Sequence, residues 1–437
     1  MKHIQILVDN KYRDLYPAIL LKLYIINNTN KIRVILANKK NQHALYKAFC
    51  PEIVVLPHCS GHMNYHINYM KNRSRIVVMP SAGSTFSKKY VYERYINNTE
   101  DENFKVISRV YLWGEAVRDI LFETKKYNEG SLIVTGTPRL DVFKLMNQNV
   151  NNLGTHIGFG TSIRHLSSIN NFTVLRLIEI YSKLHQHNSQ KIFWKKGGQY
   201  ADWLWYEVAF LETLSVAVKR ILNIGLDNKI IIRPHPFESV DFYRHWIKYY
   251  NYAVDVTKDE YLWDFYSKLS VFIQVFSTTS VEAIYSGIPV ISLKYLMGDR
   301  VQDHIPKESY DSFLDDFLWR PRTIDELLDL VNKAVNGKLS PYPDDNKLGL
   351  IKKLHQLYNF NSDKLATELI GNDLIDMINV KVGNYSRFSS RNFLKYLLLE
   401  SILLLRKYKR NDYNYSTFRM RDKVNYRDMR KFLDLIV

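Results

Sequence analysis

Short runs of Val and Ile recur along roughly the first 300 residues, each closing on small or polar residues, with stretches at helical apolar spacing between them. Strands buried on both faces by crossover helices read this way, so the chain is constrained to a parallel α/β architecture. In the first half the runs fall at 3–8, 31–36, 52–56, 75–79, 106–112 and 131–135. They exit into Asp9-Asn10, Ala37-Asn38, Pro57-His58, Pro80-Ser81-Ala82-Gly83, Trp113-Gly114-Glu115 and Gly136-Thr137-Pro138. A doubly wound sheet binds its ligands at such exits.

An Asn-rich stretch at 147–154 separates this half from a second series, with strands expected at 156–159, 229–233, 252–256, 269–276 and 289–293. Helical patterns are expected at 172–185, 200–222, 323–335 and 363–380; the last two close the second half and are candidates to cross back onto the first. At 437 residues and 46% apolar content the chain is too long for one ordinary core. The expected fold is therefore α/β: two Rossmann-type doubly wound parallel sheets facing a cleft, with a helical tail. The domains are set at 1–150, 151–380 and 381–437. Such a cleft suits transfer between two bound molecules, one held by each domain.

Composition narrows the function classes. Two cysteines, Cys50 and Cys59, exclude a disulfide scaffold and a Cys-rich zinc module and favour a reducing compartment. Asp9, Arg13 and Asp14 interrupt the place where a secretory signal needs its apolar stretch. The longest apolar candidate, 393–405, is broken by Lys395 and Glu400, so no membrane span is expected and the reading is cytoplasmic. The net charge is +17, and residues 381–437 hold 14 Lys or Arg against 5 Asp or Glu. A basic helix there would lay an apolar face in a headgroup layer, making an anionic membrane surface a candidate partner; the alternative is packing on the first domain with a solvated basic extension.

Two segments carry the chemistry. Lys229-Ile-Ile-Ile-Arg233-Pro234-His235-Pro236-Phe-Glu238 is a buried strand that leaves the ladder at two prolines and holds Arg233 and His235 at its end. A guanidinium and an imidazole there suit a phosphate, although proline also terminates strands with no ligand in view. In the second segment a strand runs into Ser277-Thr278-Thr279-Ser280-Val-Glu282, so hydroxyls and backbone N–H groups converge where a helix opens. That arrangement would meet a phosphate, with Glu282 on a ribose hydroxyl; the alternative is an ordinary N-cap.

Weaker signals surround these. Gly158-Phe-Gly160-Thr161-Ser162 would bring backbone to a donor phosphate or would be a simple turn, and Lys195-Lys-Gly-Gly198 reads as a mobile loop. Arg139 would reach the interdomain cleft, or pair with Asp141 or another carboxylate on the surface. Asp9 and Glu115 end two strands and are the candidate general bases, each with a capping role as its alternative. His58, Cys59, His62 and His66 have a spacing that permits a metal, but no Cys pair accompanies them, so no metal and no cofactor are expected.

Arg233-Pro-His-Pro, followed about forty residues on by Ser-Thr-Thr-Ser-Val-Glu-Ala and Gly287-Ile-Pro-Val, resembles the donor half of GT-B glycosyltransferases. Within that group the pairing resembles CMP-sugar transferases of the sialyl and Kdo type and the CDP-glycerol transferases. Ile-Leu-Val-Asp9-Asn-Lys-Tyr-Arg13-Asp14, Tyr111-Leu-Trp113-Gly-Glu115 and Thr135-Gly-Thr-Pro138-Arg139-Leu-Asp141 are similar to the bacterial surface polysaccharide biosynthesis family. Members of that family carry a Glu-Gly pair where this chain has Pro80-Ser81-Ala82-Gly83.

The resemblance implies a donor site of Arg233, His235, Pro236, Ser277, Thr278, Thr279, Ser280, Glu282, Gly160 and Thr161. It implies an acceptor side of Arg13, Ser81 and Arg139, with the base among Asp9 and Glu115. The expected activity is transfer of a sugar from a nucleotide donor, first CMP-Kdo or a CMP-nonulosonate, to a surface polysaccharide or glycolipid. A CDP-glycerol-type polyol-phosphate transferase is the alternative within the class. A non-catalytic basic protein binding nucleic acid or membrane is the alternative outside it, and no nucleic-acid motif supports that one.

Overall fold

The computed structural model describes residues 1–61, 63–80, 91–92, 95–97, 99–147, 154–163, 166–167, 190–236, 238–258, 261–275, 279–298, 314–343, 347–360 and 362–379. Ser81, Ser277, Thr278, His62, the expected helix at 172–185 and the tail at 381–437 lie outside them. The described residues form two units. One is Met1–Leu145 joined by the chain from Ile351 onward, and the other is Met146–Leu350.

The first unit alternates β1 (Lys2–Val8), α1 (Lys11–Asn28), β2 (Ile32–Asn38), α2 (Gln42–Phe49), β3 (Ile53–Leu56), α3 (Met63–Met70) and β4 (Arg75–Val78). It continues with α4 (Asp101–Val106), β5 (Ile107–Leu112), α5 (Glu115–Glu123), β6 (Leu132–Val134) and α6 (Pro138–Asn147). All six strands are parallel, in the order β2-β1-β3-β4-β5-β6. Chain direction across the sheet reverses at β1, so the exits of β1 and β3 flank the switch point. Runs such as Ile53–Leu56 are buried throughout because helices cover both faces.

Two helices complete this unit from far along the chain: α12 (Lys347–Tyr358) and α13 (Ala366–Asn379), in the numbering continued below. The domain boundary expected at 380 is thus corrected to the region of residue 350, and the helical pattern at 363–380 belongs to the first core. The cause is visible in the contacts. Tyr111 Oη and Arg109 Nε donate to the Asp373 carboxylate at 2.7 and 3.3 Å, Tyr24 Oη donates to Asn372 at 3.0 Å, and Lys2 Nζ donates to the Ile378 carbonyl at 2.5 Å. Gly371 lets α13 lie against the Tyr24 ring, where a Cβ would come within 2.3 Å of Cδ1.

The second unit has β7 (His156–Gly160), α7 (Gln190–Asn223), β8 (Ile230–Arg233), α8 (Val240–Tyr250), β9 (Val254–Val256), α9 (Leu262–Tyr266), β10 (Leu269–Gln274), α10 (Thr279–Tyr285), β11 (Val290–Ser292) and α11 (Ile324–Val335). Its parallel sheet runs β11-β10-β7-β8-β9, with β7 in the centre. Ile157, Phe159, Ile230, Ile232, Val271 and Ile273 face a core completed by Phe210, Leu214 and Val218 of α7 and by Leu327 and Val331 of α11. Lys195 to Gly198, expected as a mobile loop, lies within the 34-residue α7. Two helix-poor glycines are carried there by the helix on either side.

Candidate functional site

In the second unit the first strand, β7, has β8 on one side and β10 on the other, so the exits of these three strands meet at the topological switch point. The Arg-Pro-His-Pro segment leaves β8 and the hydroxyl-rich segment leaves β10, so both flank the same strand. Register sharpens this. Gly160 pairs with Arg233, Phe159 pairs with Ile273, and Gln274 therefore stands level with Gly160 and Arg233 in one row, with Ser292 paired beyond it. Members of a row point to one face. This row is on the face opposite the Phe159–Ile232–Ile273 core.

The Arg233 guanidinium lies 5.4 Å above the Phe265 ring centroid, which aims the cation by its attraction to the ring face. Gly160 has a packing role: a Cβ there would stand 2.5 Å from Phe272 Cζ, so the ring occupies the space a side chain would take. Thr161, expected on a donor phosphate, spends its hydroxyl inside the protein on Glu238.

Glu238 organises the loops, and the sequence reading gave it no role. Its side chain is buried, and its carboxylate accepts from Thr161 Oγ1 at 2.5 Å, the Ile163 N–H at 2.5 Å, the His235 N–H at 3.1 Å and Tyr243 Oη at 2.9 Å. The backbone N–H of Thr161 donates to the Arg233 carbonyl at 3.3 Å, and Lys258 Nζ donates to the Glu238 carbonyl. Burial pushes the Glu238 carboxyl above the usual range, against the four donors that oppose it. A second buried carboxylate, Glu207 of α7, accepts the Leu166 N–H at 2.9 Å. His235 is left half-buried and Pro236 exposed, on a turn closed by the Glu238 N–H to the His235 carbonyl at 2.8 Å.

Beyond β10, Thr279 is half-buried and its carbonyl accepts from Tyr266 Oη at 2.6 Å. Ser280 and Glu282 are buried. The helix they open is seven residues long, so its dipole is shorter than the expected phosphate site assumed, while Arg233 over Phe265 and Lys258 on the Glu238 carbonyl bring cationic side chains to the β8 side of this edge.

In the first unit Asp9 and His58 stand at the switch point, at the exits of β1 and β3. Asp9 pairs with Lys39 at 2.5 Å and with Arg13 at 3.4 Å. Burial works to raise its carboxyl, but Lys39, Arg13 and His58 together hold it below the usual range. Arg13 also forks onto Asp14 at 2.5 Å through Nε and 3.0 Å through Nη2. Glu115 begins α5, 41% exposed and paired with Arg118 at 2.6 Å. Arg139 is half-buried at the start of α6, and the pairing with Asp141 considered for it is replaced. Asp141 instead accepts the N–H groups of Ala366 and Thr367 at 3.2 and 2.7 Å and the Thr367 hydroxyl at 2.7 Å, capping α13.

The His-Cys cluster is divided among other partners. His66 Nδ1 lies 2.8 Å from His43 Nε2 and its Nε2 lies 3.1 Å from Gln42 Nε2. Cys59 is buried, with Sγ 3.2 Å from Tyr127 Oη. Among the described residues no group of three or more His, Cys, Asp or Glu is placed to hold a metal ion, and no helix is long and apolar enough to cross a membrane.

No protein-family model matches the chain, and no curated protein matches it in sequence. Solved structures match its fold. The S. aureus MnaA–UDP co-structure aligns with a TM-score of 0.50 and 12% identity over 89% of this chain and 100% of that one. The UDP-GlcNAc 2-epimerase from Neisseria meningitidis bound to UDP-GlcNAc gives 0.50 and 10% over 86% and 100%. A putative UDP-N-acetylglucosamine 2-epimerase from Listeria monocytogenes gives 0.50 and 11% over 89% and 99%. With these, the chain takes its place in the fold class of GT-B-like proteins built from two parallel-sheet Rossmann-type domains.

Proposed function

We propose that the protein is an enzyme acting on a nucleotide-activated sugar or polyol, and that the second unit's carboxyl edge holds the nucleotide. One observation carries the reading: the Arg233–His235 exit and the Thr279–Ser280 exit, about forty residues apart, flank the same central strand at the switch point. An open α/β sheet takes its ligand there. Arg233, His235 and Lys258 supply cationic or donor groups at one edge, as a phosphate leaving group requires. Neutralising charge as the bond to that phosphate breaks is the chemistry such a site performs.

The acceptor is a hydroxyl of a surface polysaccharide or glycolipid, in keeping with the sequence resemblance, and its base comes from the first unit's carboxyl edge. Asp9 enters that role already ionised and held by two cations, and Glu115 enters it exposed and paired with one. A CMP-activated acidic sugar is the first donor to test, and CDP-glycerol is the second.

Thermal melting in CMP, CDP, UDP and GDP tests the reading. Ligand at about 100 times its Kd stabilises the native state by about 2.7 kcal/mol, so a responding nucleotide raises the melting temperature visibly. His235→Ala is expected to abolish that rise. A wild-type protein indifferent to all four nucleotides overturns the assignment. With the responding donor, a phosphodiester in the product identifies polyol-phosphate transfer, a glycoside identifies sugar transfer, and a donor altered only in sugar configuration identifies epimerisation.

A further inference from the structure

The last residue of β10 is a glutamine whose side chain is 1% exposed and whose Oε1 and Nε2 both lack a hydrogen-bond partner among the described residues. Across the next turn Ser280 is 0% exposed, and its Oγ also lacks one. Leaving buried polar atoms unpaired costs about 1–3 kcal/mol per group, and an aliphatic side chain at 274 would avoid that cost. The rest of the row shows why the place is special. Gln274 sits beside Gly160, whose missing Cβ would be 3.7 Å from Gln274 Cβ, at the level where Arg233 reaches its end of β8.

The chemistry of the missing partner follows from what a carboxamide offers. Phosphate oxygens only accept at neutral pH, so a phosphate would satisfy Nε2 and leave Oε1 facing another acceptor. A hydroxyl both donates and accepts, and neighbouring hydroxyls on a sugar or polyol satisfy both amide atoms and the serine hydroxyl together. We infer that Gln274 and Ser280 bind a hydroxyl-bearing part of the substrate, either the ribose of the nucleotide or the transferred sugar or polyol. The inference rests on the reading of this edge as the nucleotide site.

The test uses the full chain, calorimetric titration and the responding nucleotide, its 2′,3′-dideoxy analogue and its sugar or glycerol conjugate. Gln274→Met, close in volume and free of unpaired polar atoms, is expected to melt no lower than wild type without ligand and to bind at least tenfold more weakly. If the ribose is read, wild type loses affinity for the dideoxy analogue and Gln274→Met binds both forms alike. If the transferred group is read, the variant loses only the extra affinity of the conjugate. Equal affinities of wild type and variant for all three ligands overturn the inference while leaving the nucleotide site standing.

A fall in the unliganded melting temperature of Gln274→Met also overturns it, because the amide is then satisfied within the protein, for instance by a buried water. Ser280→Ala is read in the same way. Should wild type bind none of the three ligands, the nucleotide reading and this inference fall together.

Discussion

The Thr161 hydroxyl donates to the Glu238 carboxylate at 2.5 Å across 77 residues of sequence, and so joins the exits of two neighbouring strands. That carboxylate takes four donors, which a carboxamide with one acceptor oxygen cannot do. Glu238→Gln is therefore expected to cost about 3 kcal/mol, as breaking a buried hydrogen-bonded network does. The measurement is the melting temperature. A variant that melts with wild type would show that the loops after β7 and β8 hold without this carboxylate.

Asp141 makes stability depend on pH in an unusual direction. Burial pushes its carboxyl up to about 6 from its ordinary 3.8. The folded state therefore keeps its proton longer than the unfolded chain, and the contribution is full below the ordinary value and lost as pH rises through about 6. The difference in melting temperature between wild type and Asp141→Asn should move against wild type as pH is raised from about 4 to about 7. A difference constant across that range contradicts the assignment.

His43 has the opposite sign. If Gln42 donates to His66 Nε2, then His66 carries its proton on Nδ1 and donates to His43 Nε2, an arrangement that needs both rings neutral. Burial first and Lys47 second hold the His43 pKa below its ordinary 6.5. Stability from this pair is present at neutral pH and lost as pH falls through the lowered value. The advantage of wild type over His43→Leu should shrink between about pH 7.5 and about pH 5.5, and a gap independent of pH is the contrary result.

Gly114 and Glu115 are neighbours with different expected costs. A Cβ on Gly114 would lie 2.3 Å from the backbone carbonyls of Gln356 and Leu357 in α12, and backbone has nowhere to yield. Gly114→Ala should destabilise by about 3 kcal/mol or more, at the upper end of overpacking effects. Glu115→Gln breaks an exposed pair, worth at most about 1 kcal/mol, so any large loss of turnover with it reports chemistry. Denaturation and initial rates on the two variants separate these roles.

Both sheets were legible in the sequence because strands covered on two faces are dominated by apolar residues, as the unbroken Ile53–Leu56 run and the Val271–Ile273 stretch of β10 show. Strand exits were legible for the same reason, since polarity returns where the sheet ends. Glu238 was not, because its meaning lies in donors at 161, 163 and 243 that no local pattern connects to it. The helical spacing at 366–379 was readable, but an apolar stripe does not say which core it completes; Asp373, on the polar side of α13, is what meets Tyr111 and Arg109. Gly160 was readable as special but its packing against Phe272 was not, since a ring pressed against a strand and a ligand approaching a loop demand the same missing side chain.

The return of the chain at Ile351 sets an order of events at the ribosome. All six strands of the first sheet are made before residue 135, yet Tyr24, Arg109 and Tyr111 wait for partners encoded beyond residue 370. At about 5–20 residues per second, the two hundred or so intervening residues take on the order of 10–40 s to synthesise. For that interval the nascent first half carries an uncovered seam, and whatever shields it in the cell acts before α13 has emerged.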